Sequence, residues 1–153
     1  IRSLINQEVE LVSEVAPDLP IIEADPMRIR QILINLLSNA AKFTTKGAIT
    51  ITAVPEKQTD ILLTVRDTGI GIDAEDFGKL FVAFEQVDNS TTRTAGGTGL
   101  GLPITQWLVN MHHGKLWLES EVGRGTTFFI RLPIKQPADQ QAANPAPQTA
   151  VPT

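Results

Sequence analysis

The chain of 153 residues contains no cysteine. Disulfide staples, thiolate metal sites and cysteine nucleophiles are thereby excluded, and the absence fits a reducing compartment. A surplus of positive charge is also missing: 13 Lys and Arg stand against 17 Asp and Glu, leaving a net charge of −4. A basic footprint for nucleic acid or a polybasic membrane anchor is therefore not expected. No apolar run approaches the roughly 18 residues of a membrane span, and Ile1-Arg2-Ser3 does not open like a signal peptide. Asn89-Ser90-Thr91 matches a glycosylation sequon, but nothing else in the sequence points to secretion. What is present is an ordinary globular composition, 42% apolar and 20% charged, sufficient for one domain with a sizeable core.

Residues 137–153 (PADQQAANPAPQTAVPT) carry little bulky apolar surface with which to offset ordering entropy, and read as a disordered tail or linker. The folded part is expected to be 1–136. Within it, Val9 to Val15 alternates like a half-buried strand. Asp25-Pro26 is a helix start, an N-cap carboxylate followed by proline in the first turn. That helix should reach Phe43, because Ile29, Ile32, Leu33, Leu36, Leu37 and Ala40 form one apolar stripe. Strands are expected near 48–54 and 60–67, a short helix from Asp73, and a polar loop over 85–99. A helix over 100–112 follows, with Leu100, Ile104, Trp107, Leu108 and Met111 as its apolar positions and Gly114 as its stop. A final hairpin, 115–120 and 126–132, turns at Val122-Gly123-Arg124-Gly125. The mixture predicts a two-layer α/β sandwich, one sheet against one layer of helices.

Three places can carry chemistry. On the long helix, Arg28, Gln31, Asn35, Asn39 and Lys42 form a polar stripe beside the apolar one. A solvated face is one reading. Asparagine, however, is a poor helix former, and two of them a turn apart suggest that their carbonyl oxygens are needed. Oxygen ligands with water suit Mg²⁺ held together with nucleotide phosphates, and Lys42 could meet a phosphate as a point charge. On the strand ending at Asp67, the parity of Ile61, Leu63 and Val65 puts the carboxylate at the core edge, where it needs donors. It is either a turn aspartate bonding the backbone of Thr68-Gly69 or an acceptor for the exocyclic amine of adenine, a place where guanine has a carbonyl. Thr126 shares the inward parity of Phe128, Ile130 and Leu132 and could close a polar pocket with Asp67. Finally, Gly96-Gly97-Thr98-Gly99-Leu100-Gly101 leads into a helix, where free N–H groups favour phosphate. It fits neither the Walker A nor the Gly-x-Gly-x-x-Gly spacing.

Taken in order, these segments resemble the catalytic and ATP-binding domain of sensor histidine kinases, in the GHKL ATPase superfamily. NLLSNAAKF (35–43) is similar to the N box, DTGIGI (67–72) to the first glycine box and LFVAFEQVD (80–88) to the F box. GGTGLGL (96–102) and GRGTTF (123–128) are similar to the second and third glycine boxes. The resemblance implies a Bergerat fold, a mixed sheet of about five strands backed by about three helices. It implies ATP and Mg²⁺ as cofactors. Asp67 would bind the adenine amine, with Thr126 nearby through water, and Gly69, Gly71 and Ile72 would shape the base pocket. Asn39 would coordinate Mg²⁺ with Asn35 assisting, Lys42 would touch phosphate, and Phe43 would flank the nucleotide. Gly97, Thr98, Gly99, Leu100 and Gly101 would pass around the phosphates. Residues 85–96 would form a lid anchored by Phe81 and Phe84, with Arg93 reaching the terminal phosphate. Pro103, His113 and Val82-Ala83 depart from the usual motifs, none at a nucleotide ligand; a proline in the first helical turn is tolerated.

Several relatives in the superfamily hydrolyse ATP with a glutamate at the first N-box position. Here that position is Asn35, whose amide cannot take a proton from water. Transfer to a histidine needs no such base, because a neutral imidazole nitrogen is already a nucleophile; Asn35, Lys42 and Arg93 would serve it by positioning and charge neutralisation. His112 and His113 lack the acidic, Arg-rich context of an acceptor and read as structural. The acceptor would lie on a dimerisation domain of the same protein, with a response-regulator receiver domain downstream. The fragment itself would be monomeric, its parent a homodimer, and its location cytoplasmic whether or not the parent is membrane-anchored. An ATP-responsive binding module and a serine kinase of the anti-sigma type are the alternatives.

Overall fold

The computed structural model describes residues 2–82 and 101–137. Asp25 caps the long helix α1 (Pro26–Phe43) as its sequence dictates: its Oδ1 accepts the Met27 N–H at 3.0 Å, and Pro26 opens the first turn without losing a bond. The apolar stripe of α1 buries Ile32, Leu36, Leu37 and Ala40. They join a core with Ile49, Leu63, Val65, Phe128 and Ile130 from one face of a five-stranded sheet.

The strands are β1 (Val9–Val15), β2 (Gly47–Glu56), β3 (Asp60–Asp67), β4 (Lys115–Glu121) and β5 (Gly125–Pro133), in the spatial order β1-β2-β3-β5-β4. β1 and β2 pair in parallel, which requires the crossover that α1 supplies; the remaining pairs are antiparallel. Lys57 and Gln58 turn β2 into β3 with left-handed φ of 53° and 60°. The expected mixed sandwich is borne out. The short helix from Asp73 is present as a 3₁₀ segment, Ala74–Phe81, with Asp73 accepting the Glu75 N–H at 3.1 Å. A further 3₁₀ turn at Arg2–Leu4 was not expected from the sequence.

The second helix, α2 (Gly101–Met111), corrects one expectation. It buries Leu102, Thr105, Leu108 and Val109, whereas Trp107 and Met111 are 59% and 54% exposed. Apolar residues surround this helix almost completely, so periodicity alone does not choose a face. Thr105 helps to choose it: fully buried, its hydroxyl donates to the Gly101 carbonyl at 2.7 Å and lies 3.2 Å from Asn35 Nδ2.

His112 is structural. Its Nε2 accepts the Asp25 N–H at 3.2 Å, which leaves Nδ1 to donate to the Leu108 carbonyl at 2.8 Å. The ring thus ties the end of α2 to the start of α1. His113 takes a left-handed φ of 56° at the helix exit. On the outer face of the sheet, Trp117 and Phe129 stack at 5.3 Å, and Arg131 pairs with Glu56 through two hydrogen bonds of 2.6 and 2.9 Å. Among the described residues no helix is long and apolar enough to cross a membrane.

Candidate functional site

The inward parity of β3 ends in a charge. Ile61, Leu63, Val65 and Asp67 are all buried, and Asp67 is 5% exposed. Sheet register sets its neighbour: Asp67 stands opposite Thr126 of β5, and Thr126 stands opposite Ser120 of β4. Thr126 is itself buried, with Oγ1 2.7 Å from Ser120 Oγ. Ser120 Oγ also accepts the Ile72 N–H at 2.8 Å and donates to the Gly125 carbonyl at 3.0 Å. Three strands therefore deliver one carboxylate and two hydroxyls to the same end of the sheet.

The loop after β3 is drawn tightly over this end. Gly69 N–H donates to Asp67 Oδ1 at 2.9 Å, so the turn role of the aspartate is real and occupies one of its oxygens. Ile70 N–H donates to the Phe43 carbonyl at 3.2 Å, and Gly123 N–H to the Ile70 carbonyl at 2.8 Å. A Cβ at Gly69 would strike the Phe43 carbonyl oxygen, and one at Gly125 (φ 110°) would strike that of Asp67. Both positions are glycine because backbone passes backbone there. Gly71 (φ 73°) packs in the same way on Glu121.

Burial pushes the Asp67 carboxyl above its ordinary value, because removing a carboxylate from water disfavours the charged form. The backbone N–H groups of Gly69 and Thr126 and the Thr44 hydroxyl oppose that shift. Thr44 is the C-cap of α1 and is 1% exposed. Its hydroxyl is near enough to favour the charge on Asp67, yet makes no hydrogen bond of ordinary geometry among the described residues.

The polar stripe of α1 lies apart from this buried cluster. Asn35 is half-buried and donates Nδ2 to Thr105 Oγ1 at 3.2 Å and to the Gly101 carbonyl at 3.4 Å. Its amide nitrogen is thus engaged by α2, and its carbonyl oxygen is the remaining polar atom. Asn39 and Phe43 are half-buried, and Lys42 is exposed. Ile72 borders the Ser120 hydroxyl through its own N–H, and Gly101 opens α2. Arg93, Gly97, Thr98, Gly99 and Leu100 lie outside the described residues, as do Phe84 and the proposed lid; Phe81 packs against the core.

This donor set fits an adenine nucleotide. A buried acceptor suits a base that presents an amine, and carboxamide oxygens suit a hard cation such as Mg²⁺. Among the described residues there is no cluster of three His, Asp or Glu that would hold a metal otherwise. Two residues of the pocket escape the sequence reading. Ser120 shares the inward parity of Leu116 and Leu118, a signal that could have found it. Thr44 merely follows a helix end, and no pattern marks it.

A sheet with one face covered by helices, a recessed carboxylate at the end of a middle strand and glycines sealing the recess define a protein of the nucleotide-binding α/β class. Residues 24–136 match the family described as histidine kinase-, DNA gyrase B-, and HSP90-like ATPase, and the chain belongs to that family. It is 44% identical over 133 residues to the sensor protein GacS of Pseudomonas syringae pv. syringae, covering 84% of this chain and 15% of GacS. It is 47% identical over 113 residues to the circadian input-output histidine kinase CikA of Synechococcus elongatus, covering 74% of this chain and 15% of CikA. Among solved structures, full-length ShkA in complex with AMPPNP superposes with a TM-score of 0.74 at 34% identity, over 84% of this chain and 26% of ShkA. The nucleotide-free catalytic domain of the histidine kinase ThkA gives 0.71 at 33% identity, over 88% of this chain and 84% of that domain. The chain thus spans only a small part of the curated relatives it matches.

Proposed function

We propose that residues 1–136 are the Mg-ATP-binding catalytic domain of a two-component sensor histidine kinase, followed by a tail or linker over 137–153. The observation that carries this reading is the buried Asp67 carboxylate, paired in register with Thr126 and closed in by Gly69 and Gly125. The free side of that carboxylate accepts the adenine amine, and Thr126 supports it through water. Gly69, Gly71 and Ile72 wall the base, and Phe43 flanks it. Asn39 and the carbonyl oxygen of Asn35 face the metal, and Lys42 contacts phosphate. Gly97, Thr98, Gly99, Leu100 and Gly101 pass around the phosphates, with Arg93 at the terminal one. Mg²⁺, when bound, neutralises the charge that develops on the transferring group.

Phosphoryl transfer forms a bond from an acceptor imidazole nitrogen to the γ-phosphorus while the bond to the β–γ bridging oxygen breaks and ADP leaves. Asn35 cannot act as a base for water, and this favours transfer over hydrolysis. The acceptor belongs to a dimerisation domain of the same protein, whose phosphoryl group then passes to a response-regulator receiver domain. The intact protein is a homodimer with this domain on the cytoplasmic side, and nucleic acid has no part in its action. Calorimetric titration with ATP and GTP, with and without Mg²⁺, tests the pocket: ATP is preferred, and equal binding of GTP overturns the assignment. Incubation with γ-labelled ATP and a supplied dimerisation domain tests the reaction. Acid-labile label appears on that domain; its absence with a competent acceptor leaves a nucleotide-responsive binding module.

A further inference from the structure

Burying a hydroxyl whose proton has no acceptor is unfavourable, and proteins rarely do it without a partner close at hand. Thr44 is the single buried side chain so placed among the described residues. It sits at the C-cap of α1, with Oγ1 only 2.9 Å from where a Cβ on Gly69 would lie. Gly69 is the same residue whose N–H holds Asp67 Oδ1. The hydroxyl therefore points into the gap that the missing Gly69 side chain leaves, next to a carboxylate that is itself 5% exposed. The Gly69 N–H already donates to that carboxylate at 2.9 Å, and the Thr126 N–H favours its charge.

We propose that Thr44 is a positioning residue of the base pocket: with nucleotide bound, its hydroxyl proton goes to Asp67, holding that carboxylate as a pure acceptor turned toward the base amine. The inference rests on the adenine-pocket reading and adds a residue that the nucleotide never touches. Burial alone works against an ionised Asp67, and a third donor beside Gly69 and Thr126 counters it. The charged groups around Asp67 do not take that role. Arg66 of β3, Glu119 and Glu121 of β4 and Arg124 of the turn line the outer face of the sheet, Lys42 of α1 is exposed, and none is among the main influences on the carboxylate.

The test replaces the hydroxyl by a methyl of the same shape, Thr44→Val, with Thr44→Ser as the rescue. ATP affinity is titrated from neutral to acidic pH, and the melting temperature is measured without nucleotide. ATP binding by Thr44→Val falls about tenfold at neutral pH, the worth of a hydrogen bond to a charged group. Its loss of binding on acidification begins at higher pH than in the wild type. Thr44→Ser restores both. The melting temperature of the empty Val variant is unchanged or raised, because an unpartnered hydroxyl has been removed. A lowered melting temperature with wild-type ATP binding and an unshifted pH profile overturns the proposal and leaves Thr44 a structural cap. Asp67→Asn separates the two levels: if it binds ATP like the wild type, the pocket reading itself fails. If it weakens binding while Thr44→Val is silent, only the role of Thr44 is lost. Should Thr44→Val not fold, the Thr44→Ser and Thr44→Ala pair gives the same contrast of hydroxyl kept against hydroxyl removed.

Discussion

The two ends of the proposed cleft are built by different means. At the base end, Asp67 and Thr126 are 5% and 4% exposed, held opposite each other by strand register and sealed by turns in which glycine backbone touches backbone. At the phosphate end, Asn39 is half-buried and Lys42 exposed, both projecting from a helix whose stability comes from its neighbouring apolar face. The proposed base pocket is thus built from the fold itself, whereas the proposed metal and phosphate contacts are side chains added to a scaffold that stands without them. Substitutions of the glycines that close the first end should injure stability and binding together; substitutions at the second should injure binding alone.

The sharpest way to break this contrast is Gly69→Ala. The added methyl meets the Phe43 carbonyl and the Thr44 hydroxyl, so the turn must move. The expected loss is about 2–3 kcal/mol in urea unfolding, with ATP binding impaired in parallel. A stable variant would place the pocket outside the rigid part of the fold.

Asp67→Asn comes next, with ATP affinity lowered about 10–100-fold and the fold retained. It also has a pH signature. The folded-state value of Asp67 is raised by burial, so the folded protein holds that proton more tightly than the unfolded chain. The empty wild-type protein therefore gains stability from this group as pH falls through the raised value, and the gain is complete below the ordinary carboxylate value. Glu56 behaves in the opposite sense, since Arg131 lowers its value and its contribution is lost on acidification. The difference between wild type and Asp67→Asn isolates the Asp67 component. ATP affinity should fall over the window in which this stability component rises, and both trends should vanish in the variant.

Smaller effects belong to α1. Asn39→Ala should weaken Mg-dependent ATP binding about tenfold and leave Mg-free binding and unfolding midpoints unchanged. Lys42→Ala should cost a few-fold in affinity at low salt and less at high salt, as expected of an exposed charge. A destabilised Lys42→Ala protein would erase the contrast between the two ends.

Much of this was legible in the sequence because it is locally encoded. The Asp25-Pro26 start and the stripe from Ile29 to Ala40 define α1 without help from the rest of the chain. The parity of β3 and β5 puts Asp67 and Thr126 on the inner face, and their pairing follows once those strands are neighbours. The outward placement of Trp107 and Met111 was not legible, since α2 is apolar on nearly every side and its orientation is decided by α1, partly through Asn35 and Thr105. Thr44 and Ser120 were missed for a related reason. A lone hydroxyl acquires meaning only from what tertiary packing places beside it, and Ser120 meets Ile72, Gly125 and Thr126 only after three separate stretches of chain have converged.

The ladder that sets Asp67 against Thr126 has a consequence for biosynthesis. The strand bearing the threonine is made after α1, β3 and α2, and pairings between distant segments form slowly. A nascent chain stopped at Gly123 possesses the carboxylate but lacks its partner strand, so the proposed base pocket is incomplete. If the proposed pocket is right, capture of nucleotide waits for β5, because the carboxylate and its partner threonine come together only when that strand pairs.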